Sequence, residues 1–269
     1  MRNALRSLVS IVAFASSANL MADVVLTGTI RDFCAPTITD VCTQLTDFEG
    51  AVPGVVTGMV ASTLTGGLPT AGPSIGTGAS SASNFAKWYV DSPGFNESTP
   101  TSLTLVEGPT GTFKFASSSF FPIDGLLMGN QGRGHNYHFT MQLAGLLSFD
   151  DPTGGADKSF SFTGDDDLWV FVDGKLVIDL GGVHGASSAS FTEETLKGLG
   201  LTAGTSYALD IFFAERHTTE SNFNITTTLA IAPPPPPPTG VPEPTSTALF
   251  GIAMAGLAMI TRRRQRQAR

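Results

Sequence analysis

Charge is scarce in this 269-residue sequence. Asp, Glu, Lys and Arg make up 14% of it, against about 25% in an ordinary soluble domain. So little Lys and Arg excludes a long-helix or coiled-coil protein, whose exposed faces are built from such residues. Tyr is scarcer still, 3 residues against 19 Phe, which suits a buried core more than a surface of stacking platforms. Cys occurs only at positions 34 and 42. No internal repeat, phosphate-binding loop, nucleophilic Ser motif or cofactor fingerprint occurs. The apolar fraction of 41% is too high for wholesale disorder, which leaves one large domain or two small ones with a sizeable core.

What charge there is, is sorted along the chain. The 15 Lys and Arg against 23 Asp and Glu give a formal −8. Seven of the basic residues lie at the two ends: Arg2, Arg6, Arg262, Arg263, Arg264, Arg266 and Arg269. Glu243 is the only acid outside residues 23–240, so this middle holds 8 basic and 22 acidic groups, a net of −14. Such a surface repels phosphate backbones, which excludes nucleic acid as a partner, and it attracts divalent cations.

The ends read as addresses. Arg2 and Arg6 precede an apolar run from Leu8 to Ala15 and then Ser16-Ser17-Ala18, the order of a secretory signal peptide within residues 1–22. Cleavage fits after Ala18 or after Ala22. A domain is expected over 23–231, followed by a Pro-rich linker over 232–244. Within that linker Pro233 to Pro238 form an unbroken run, a polyproline II rod of roughly 19 Å. An apolar segment over 245–261 predicts a transmembrane helix. Its sixteen residues from Thr245 to Ile260 span about 24 Å, a deficit against a ~30 Å hydrocarbon core that a thin bilayer absorbs. The basic tail, 262–269, stays cytoplasmic by the positive-inside rule and leaves the domain outside. Val241-Pro242-Glu243-Pro244, the apolar segment and the Arg cluster together resemble the PEP-CTERM sorting signal of Gram-negative, exopolysaccharide-producing bacteria. The resemblance implies recognition of Val241 to Pro244 by an exosortase, removal of the anchor, and export to the cell surface or extracellular matrix. A permanent C-terminal membrane anchor is the alternative.

An exported chain meets oxidising conditions, so Cys34 and Cys42 are expected to pair in a small-loop disulfide, with a metal-binding pair as the alternative. Between the ends helical periodicity is scarce and β signals recur. Strands are expected at 24–30, 101–106, 112–116, 137–143, 158–163, 168–172, 175–180, 206–213 and 222–231, with a brief helix over 191–199. Residues 50–83 read as a long surface excursion, and 85–90 as a strand or short helix. Asp173-Gly174, between LWVFV and KLVIDL, supplies the positive φ of a type I′ hairpin turn. The fold class that accommodates this pattern is all-β, an antiparallel β-sandwich over a two-layer core.

The chemistry is concentrated just before that hairpin, at Asp165-Asp166-Asp167. Three consecutive carboxylates at the head of a buried strand repel one another unless a cation compensates them. Hard oxygen donors favour Ca²⁺, which takes six to eight of them, whereas a solvated acidic turn is the alternative from spacing alone. The stretch GDDDLWVFVDGKLVIDLGGVH stands with FFPIDG (120–125), GNQGRGHNYHFT (129–140), FFAERHTTESNFNI (212–225), Ile30-Arg31-Asp32-Phe33 and Asp47-Phe48-Glu49. Together these resemble the fibro-slime domain over roughly residues 26–230. That family is similar to the protective-antigen N-terminal module, a β-sandwich used by yeast flocculins and epithelial adhesins.

The resemblance implies a sandwich of the protective-antigen-module type with long loops. It also implies two adjacent Asp joined by a cis peptide that bind Ca²⁺, which in turn holds sugar hydroxyls. These positions fall on Asp165 and Asp166; Asp167 stands where Gly is frequent in the wider family. A second ligand loop implies Glu215 and Asn222 as further metal ligands, with His184, Arg216 and His217 as ligand-binding candidates. The function so implied is that of an exported, Ca²⁺-dependent carbohydrate- or exopolysaccharide-binding adhesion module of biofilm or matrix, not an enzyme. A structural matrix protein with a purely stabilising Ca²⁺ site is one alternative. A glycoside hydrolase is another, although adjacent Asp residues are poorly placed to flank a glycosidic bond.

Three lesser patterns carry structural expectations. His135 and His138 lie three apart and would face opposite sides of a strand, so no zinc pair is expected. Glu215 and Arg216 read as an ion pair, and Trp169 reads as core.

Overall fold

In the computed structural model, residues 23–34, 42–108, 111–150 and 157–236 are described. The leader, the Val241 to Pro244 motif, the apolar segment and the basic tail lie outside the described residues. Among the described residues eleven strands form one antiparallel sheet. They are β1 (Val24–Phe33), β2 (Asn96–Glu107), β3 (Phe113–Ser117), β4 (Phe139–Ser148), β5 (Ser159–Asp165), β6 (Asp167–Val172), β7 (Lys175–Leu180), β8 (Ser187–Thr192), β9 (Ser206–Glu215), β10 (Asn222–Thr227) and β11 (Ala230–Ala232). The spatial order is β7-β6-β9-β4-β1-β2-β3-β10-β5-β8, with β11 on β4.

The sheet folds over along β2. Residues Asn96 to Leu105 of this strand pair with β1, while Val106 and Glu107 pair with β3. The two halves face each other, so the chain is an all-β antiparallel sandwich. Phe213 from one half meets Phe223 from the other at 5.1 Å between ring centres, and Phe162 meets Phe223 at 5.0 Å.

Alternation explains which faces are buried. In β5 Phe160 and Phe162 point inward while Ser159, Ser161 and Thr163 point out, and β10 repeats the pattern with Phe223 and Ile225 against Asn224 and Thr226. In β6, and in β9 from Ile211 onward, no face is left to solvent. Leu168, Val170, Val172, Leu209, Ile211 and Phe213 enter the inter-sheet core, whereas Trp169, Phe171, Phe212 and Ala214 enter a second core on the other side.

That second core corrects the reading of residues 50–83 as a surface excursion. The segment from 42 to 90 forms a third layer that buries Phe48, Met59, Val60, Phe85 and Trp88 against the back of β6 and β9. It carries two one-turn helices, α1 (Ile75–Gly78) and α2 (Ala82–Phe85), the latter capped by Ser81 Oγ, which accepts from Asn84 N at 3.1 Å. Two buried or half-buried carboxylates pin the layer down. Asp179 accepts from Trp169 Nε1 (3.0 Å) and Gly58 N (2.7 Å), and Asp47 accepts from Trp88 Nε1 (2.9 Å) and Ser80 N (2.6 Å). Its Gly-, Ser- and Thr-rich composition hid this, because anchoring is done by a few widely spaced apolar residues with no period.

Other expectations meet the structure closely. Asp173 (φ 53°) and Gly174 (φ 68°) make the β6–β7 turn, Cys34 and Cys42 form a disulfide, and α3 (Glu193–Gly198) fills the expected helical stretch. β8 was not foreseen, since Ser-Ser-Ala-Ser-Phe-Thr offers only Phe191 to the core. The expected strand over 222–231 is broken into β10 and β11, and 85–90 leads out of α2 as turns.

Candidate cation and ligand site

Two neighbouring chain crossings between the sandwich halves build the site. β5 lies in one half and β6 in the other, so Asp165-Asp166-Asp167 is the corner where the chain changes halves. Residues 216–221 make the reverse crossing from β9 to β10. The two corners are held side by side by register, Asp167 opposite Ala214 and Asp165 opposite Asn222. Strand ends at a corner leave backbone N–H groups unpaired by the ladder, and here carboxylates take them.

Asp165 accepts from the backbone N of Asn222 and, at 2.8 Å, from Asn222 Nδ2. Asp166 accepts from Arg216 N at 3.0 Å and His184 N at 3.3 Å. The Asp165–Asp166 peptide is cis, as the resemblance implies. Asp167 points into the protein, where it accepts from Gly182 N (2.6 Å) and from Arg216 Nε (2.5 Å). Gly182 is required at this contact: its φ is +92°, and a Cβ there would sit 2.4 Å from the Gly54 carbonyl oxygen.

Arg216 is not at the surface. It is 1% exposed, donates from Nη1 to the carbonyls of Asp47 (3.1 Å) and Gly78 (2.9 Å), and lies 4.8 Å above the Trp88 ring. The ion pair expected between Glu215 and Arg216 is replaced by Arg216 with Asp167, because adjacent strand residues point to opposite faces. Arg216 therefore acts from inside, locking the third layer to the corner.

Glu215 is left with a carboxylate that has no cation. Its Oε1 accepts from His217 N at 3.2 Å, while Oε2 is buried with no hydrogen-bond partner. The nearby Ser221 hydroxyl donates to the Phe120 carbonyl instead (2.8 Å). Burial, reinforced by the charge of Asp166, pushes the Glu215 carboxyl well above its ordinary range. Burial together with the charge of Asp167 pushes Asp166 up to about 7. Asp165, Asp166, Glu215 and Asn222 are thus brought to one corner, and the adjacent guanidinium of Arg216 is committed to Asp167. Hard oxygen donors and an orphaned carboxylate oxygen fit a hard divalent cation. Among the described residues no group of three or more His, Cys, Asp or Glu side chains is arranged to hold a metal ion.

His184 contributes its backbone to Asp166, and its ring Nδ1 donates to the Gly185 carbonyl at 2.8 Å. His217 lies at the rim, 27% exposed, with Nε2 3.6 Å from Glu49 Oε2. Glu49 also accepts from His138 Nε2 at 3.1 Å, and its backbone N donates to the Arg216 carbonyl at 2.9 Å. Burial pushes the His138 ring down to about 4. The sequence motif Asp47-Phe48-Glu49 carried this signal only as part of the family resemblance. His135 and His138 go to different partners, Asp124 and Glu49, so they form no pair.

Residues 130–242 match the family model of the PA14 domain, and residues 240–264 match the PEP-CTERM protein-sorting motif. The PA14 match starts within the loop before β4, yet β1, β2 and β3 complete the same sheet, so the structural unit extends well upstream of it. Protein psiC of Dictyostelium discoideum is 43% identical over 157 residues, covering 55% of this chain and 29% of the relative. Protein psiD of the same organism is 41% identical over 153 residues, covering 54% and 29%. These relatives support the fibro-slime resemblance, and the chain spans less than a third of their length. Among solved structures, this chain is similar to the PA14 domain of the MpAFP antifreeze protein, at 12% identity and a TM-score of 0.33, covering 83% of this chain and 100% of that one. It is also similar to the PA14 sugar-binding domain from an RTX adhesin, at 12% identity and a TM-score of 0.34, covering 78% and 95%. The sorting motif marks the chain for export to the cell surface.

Proposed function

We propose that the PA14 domain is a non-enzymatic, Ca²⁺-dependent carbohydrate-binding module that attaches its bearer to exopolysaccharide or to neighbouring cells. The observation that carries this reading is the corner at Asp165 and Asp166, where Glu215 Oε2 has no partner and the adjacent Arg216 is already committed. Asp165, Asp166, Glu215 and Asn222 would hold the ion. Bound Ca²⁺ supplies open coordination positions for vicinal sugar hydroxyls. The chain's own part is to fix the two carboxylates with backbone N–H groups from His184, Arg216 and Asn222, and to place His217 at the rim. Asp167 serves the site indirectly, by anchoring Arg216. The relative named as a sugar-binding RTX adhesin domain agrees with this reading.

The rest of the life cycle follows from the tail. The apolar segment tethers the exported chain to the membrane until an exosortase acts at Val241 to Pro244, after which the domain joins the surface or matrix.

Burial of Asp165 and Asp166 to 4% and 5% exposure favours a second reading, in which the ion only stiffens the corner. Calorimetry with CaCl₂ and a glycan array with and without chelator separate the two. Chelator-sensitive glycan retention, lost in Asp165→Asn/Asp166→Asn, is the expected result. Calcium-dependent stabilisation without any glycan signal selects the stiffening role, and no Ca²⁺ uptake by the unmodified protein removes both. Release of reducing ends from the array would instead indicate a hydrolase.

A further inference from the structure

From the loop between β3 and β4 we infer a second saccharide subsite, made of Phe121, His135, Tyr137 and Asp124; the inference rests on the carbohydrate-binding reading above. Phe121 and His135 stack with ring centres 4.0 Å apart and planes 8° from parallel, and Tyr137 meets Phe121 edge-on at 4.8 Å. None of the three belongs to either core. The His135 side chain is 41% exposed, so the ring covered by Phe121 on one face keeps solvent access on another. A cluster of rings that adds nothing to the core and stays wet is the surface type on which the C–H face of a pyranose rests.

Asp124 supplies the polar partner such a ring needs. Its Oδ2 accepts from His135 Nδ1 at 2.6 Å and its Oδ1 from Asn136 N at 2.7 Å. Each carboxylate oxygen has two lone pairs, and the group is 36% exposed, so acceptor capacity remains for a sugar hydroxyl.

The platform is also pre-ordered. Buried Asp32 accepts from Met128 N (2.9 Å) and Asn136 Nδ2 (2.8 Å), and Asn130 ties Gly125 N (2.7 Å) to the Gly134 carbonyl (3.0 Å). Little ordering entropy is then lost on binding. Finally, the loop is fastened to the cation corner. Phe120 exchanges two hydrogen bonds with Ser221, through N to the Ser221 carbonyl (2.9 Å) and from Ser221 Oγ to its own carbonyl (2.8 Å). Phe121 is thus held beside the residue that precedes Asn222. A chain of sugars with one unit at the cation corner would lay a further unit across the rings.

The test compares binding of mono- and oligosaccharides of the best-retained glycan to the full-length protein and to Phe121→Ala and His135→Gln, in CaCl₂. The His135→Gln substitution keeps a donor for Asp124 while removing the ring, which guards against a folding defect. The expected result is that the oligosaccharide binds more tightly than the monosaccharide to the unmodified protein, and that both variants lose about threefold to tenfold of that gain. Monosaccharide and Ca²⁺ binding stay unchanged. Variants that retain the full gain with chain length overturn the subsite and leave the cation site standing. Absence of any chelator-sensitive saccharide binding by the unmodified protein overturns the underlying reading.

Discussion

Asp166 and Asp167 are neighbours, alike in chemistry and both buried, yet they live in opposite electrostatic conditions. Asp167 is hydrogen-bonded to a guanidinium and a backbone N–H, while Asp166 is hydrogen-bonded only to backbone N–H groups, has two further carboxylates close by and feels the Arg216 charge without a direct bond to it. Desolvating a charge costs several kcal/mol, and only a well-placed opposite charge returns most of it. The lesson is that a compensated buried acid belongs to the architecture, whereas an uncompensated one at a surface corner is held ready for something the chain itself does not provide.

The largest expected effect tests the compensated side. Arg216→Met strands Asp167 in the interior and unties Asp47 and Gly78, so stability falls by about 3–5 kcal/mol in denaturant unfolding. A loss below about 1 kcal/mol would erase the contrast. A third buried acid then sharpens it: Asp32 has amide donors but no cation, and burial pushes its carboxyl up to about 7. Its folded pKa exceeds the unfolded value, so the native state holds a proton that the unfolded chain has lost. Stability attributable to this group is therefore greatest in acid and falls as pH rises from about 4 to about 7. Asp32→Asn should abolish that slope and gain about 2 kcal/mol at pH 8, read from unfolding curves across the window.

Asp166→Asn is expected to act with the opposite sign to Arg216→Met. In chelator it removes an uncompensated charge and raises stability by about 1 kcal/mol, whereas in CaCl₂ the unmodified protein gains and the variant does not. Destabilisation in both buffers would show that Asp166 is architectural like its neighbour. The smallest effect is the control. Lys158 and Asp150 approach to 3.3 Å but are exposed, so Asp150→Ala shifts stability by less than about 0.5 kcal/mol. Proximity without burial then proves insufficient.

The fold was legible in most strands, but not in β8, where Phe191 alone is fully buried. β5, β7 and the Asp173-Gly174 turn announce themselves by alternation and by a turn that demands positive φ. The third layer was not legible, because Met59, Val60, Phe85 and Trp88 reach the core from loops and a single helical turn, with no period at all. At the site, Asp165 and Asp166 were visible as an unusual charge run. The division of labour between Asp166 and Asp167 was not, since it depends on Arg216 approaching from a strand about fifty positions away. Asp124 lies about forty positions from the Asp run and Glu49 more than a hundred, and spacing cannot place them.

The strand directions have a mechanical corollary. β4 runs from Phe139, opposite Glu215, to Ser148, opposite Ala230, where β11 begins. At about 3.4 Å per residue those ten residues separate the two poles by about 30 Å. β11 runs back along β4 as far as Ala232, opposite Leu146, so a domain held by the end of that strand would keep its acidic corner about 24 Å from the point of attachment.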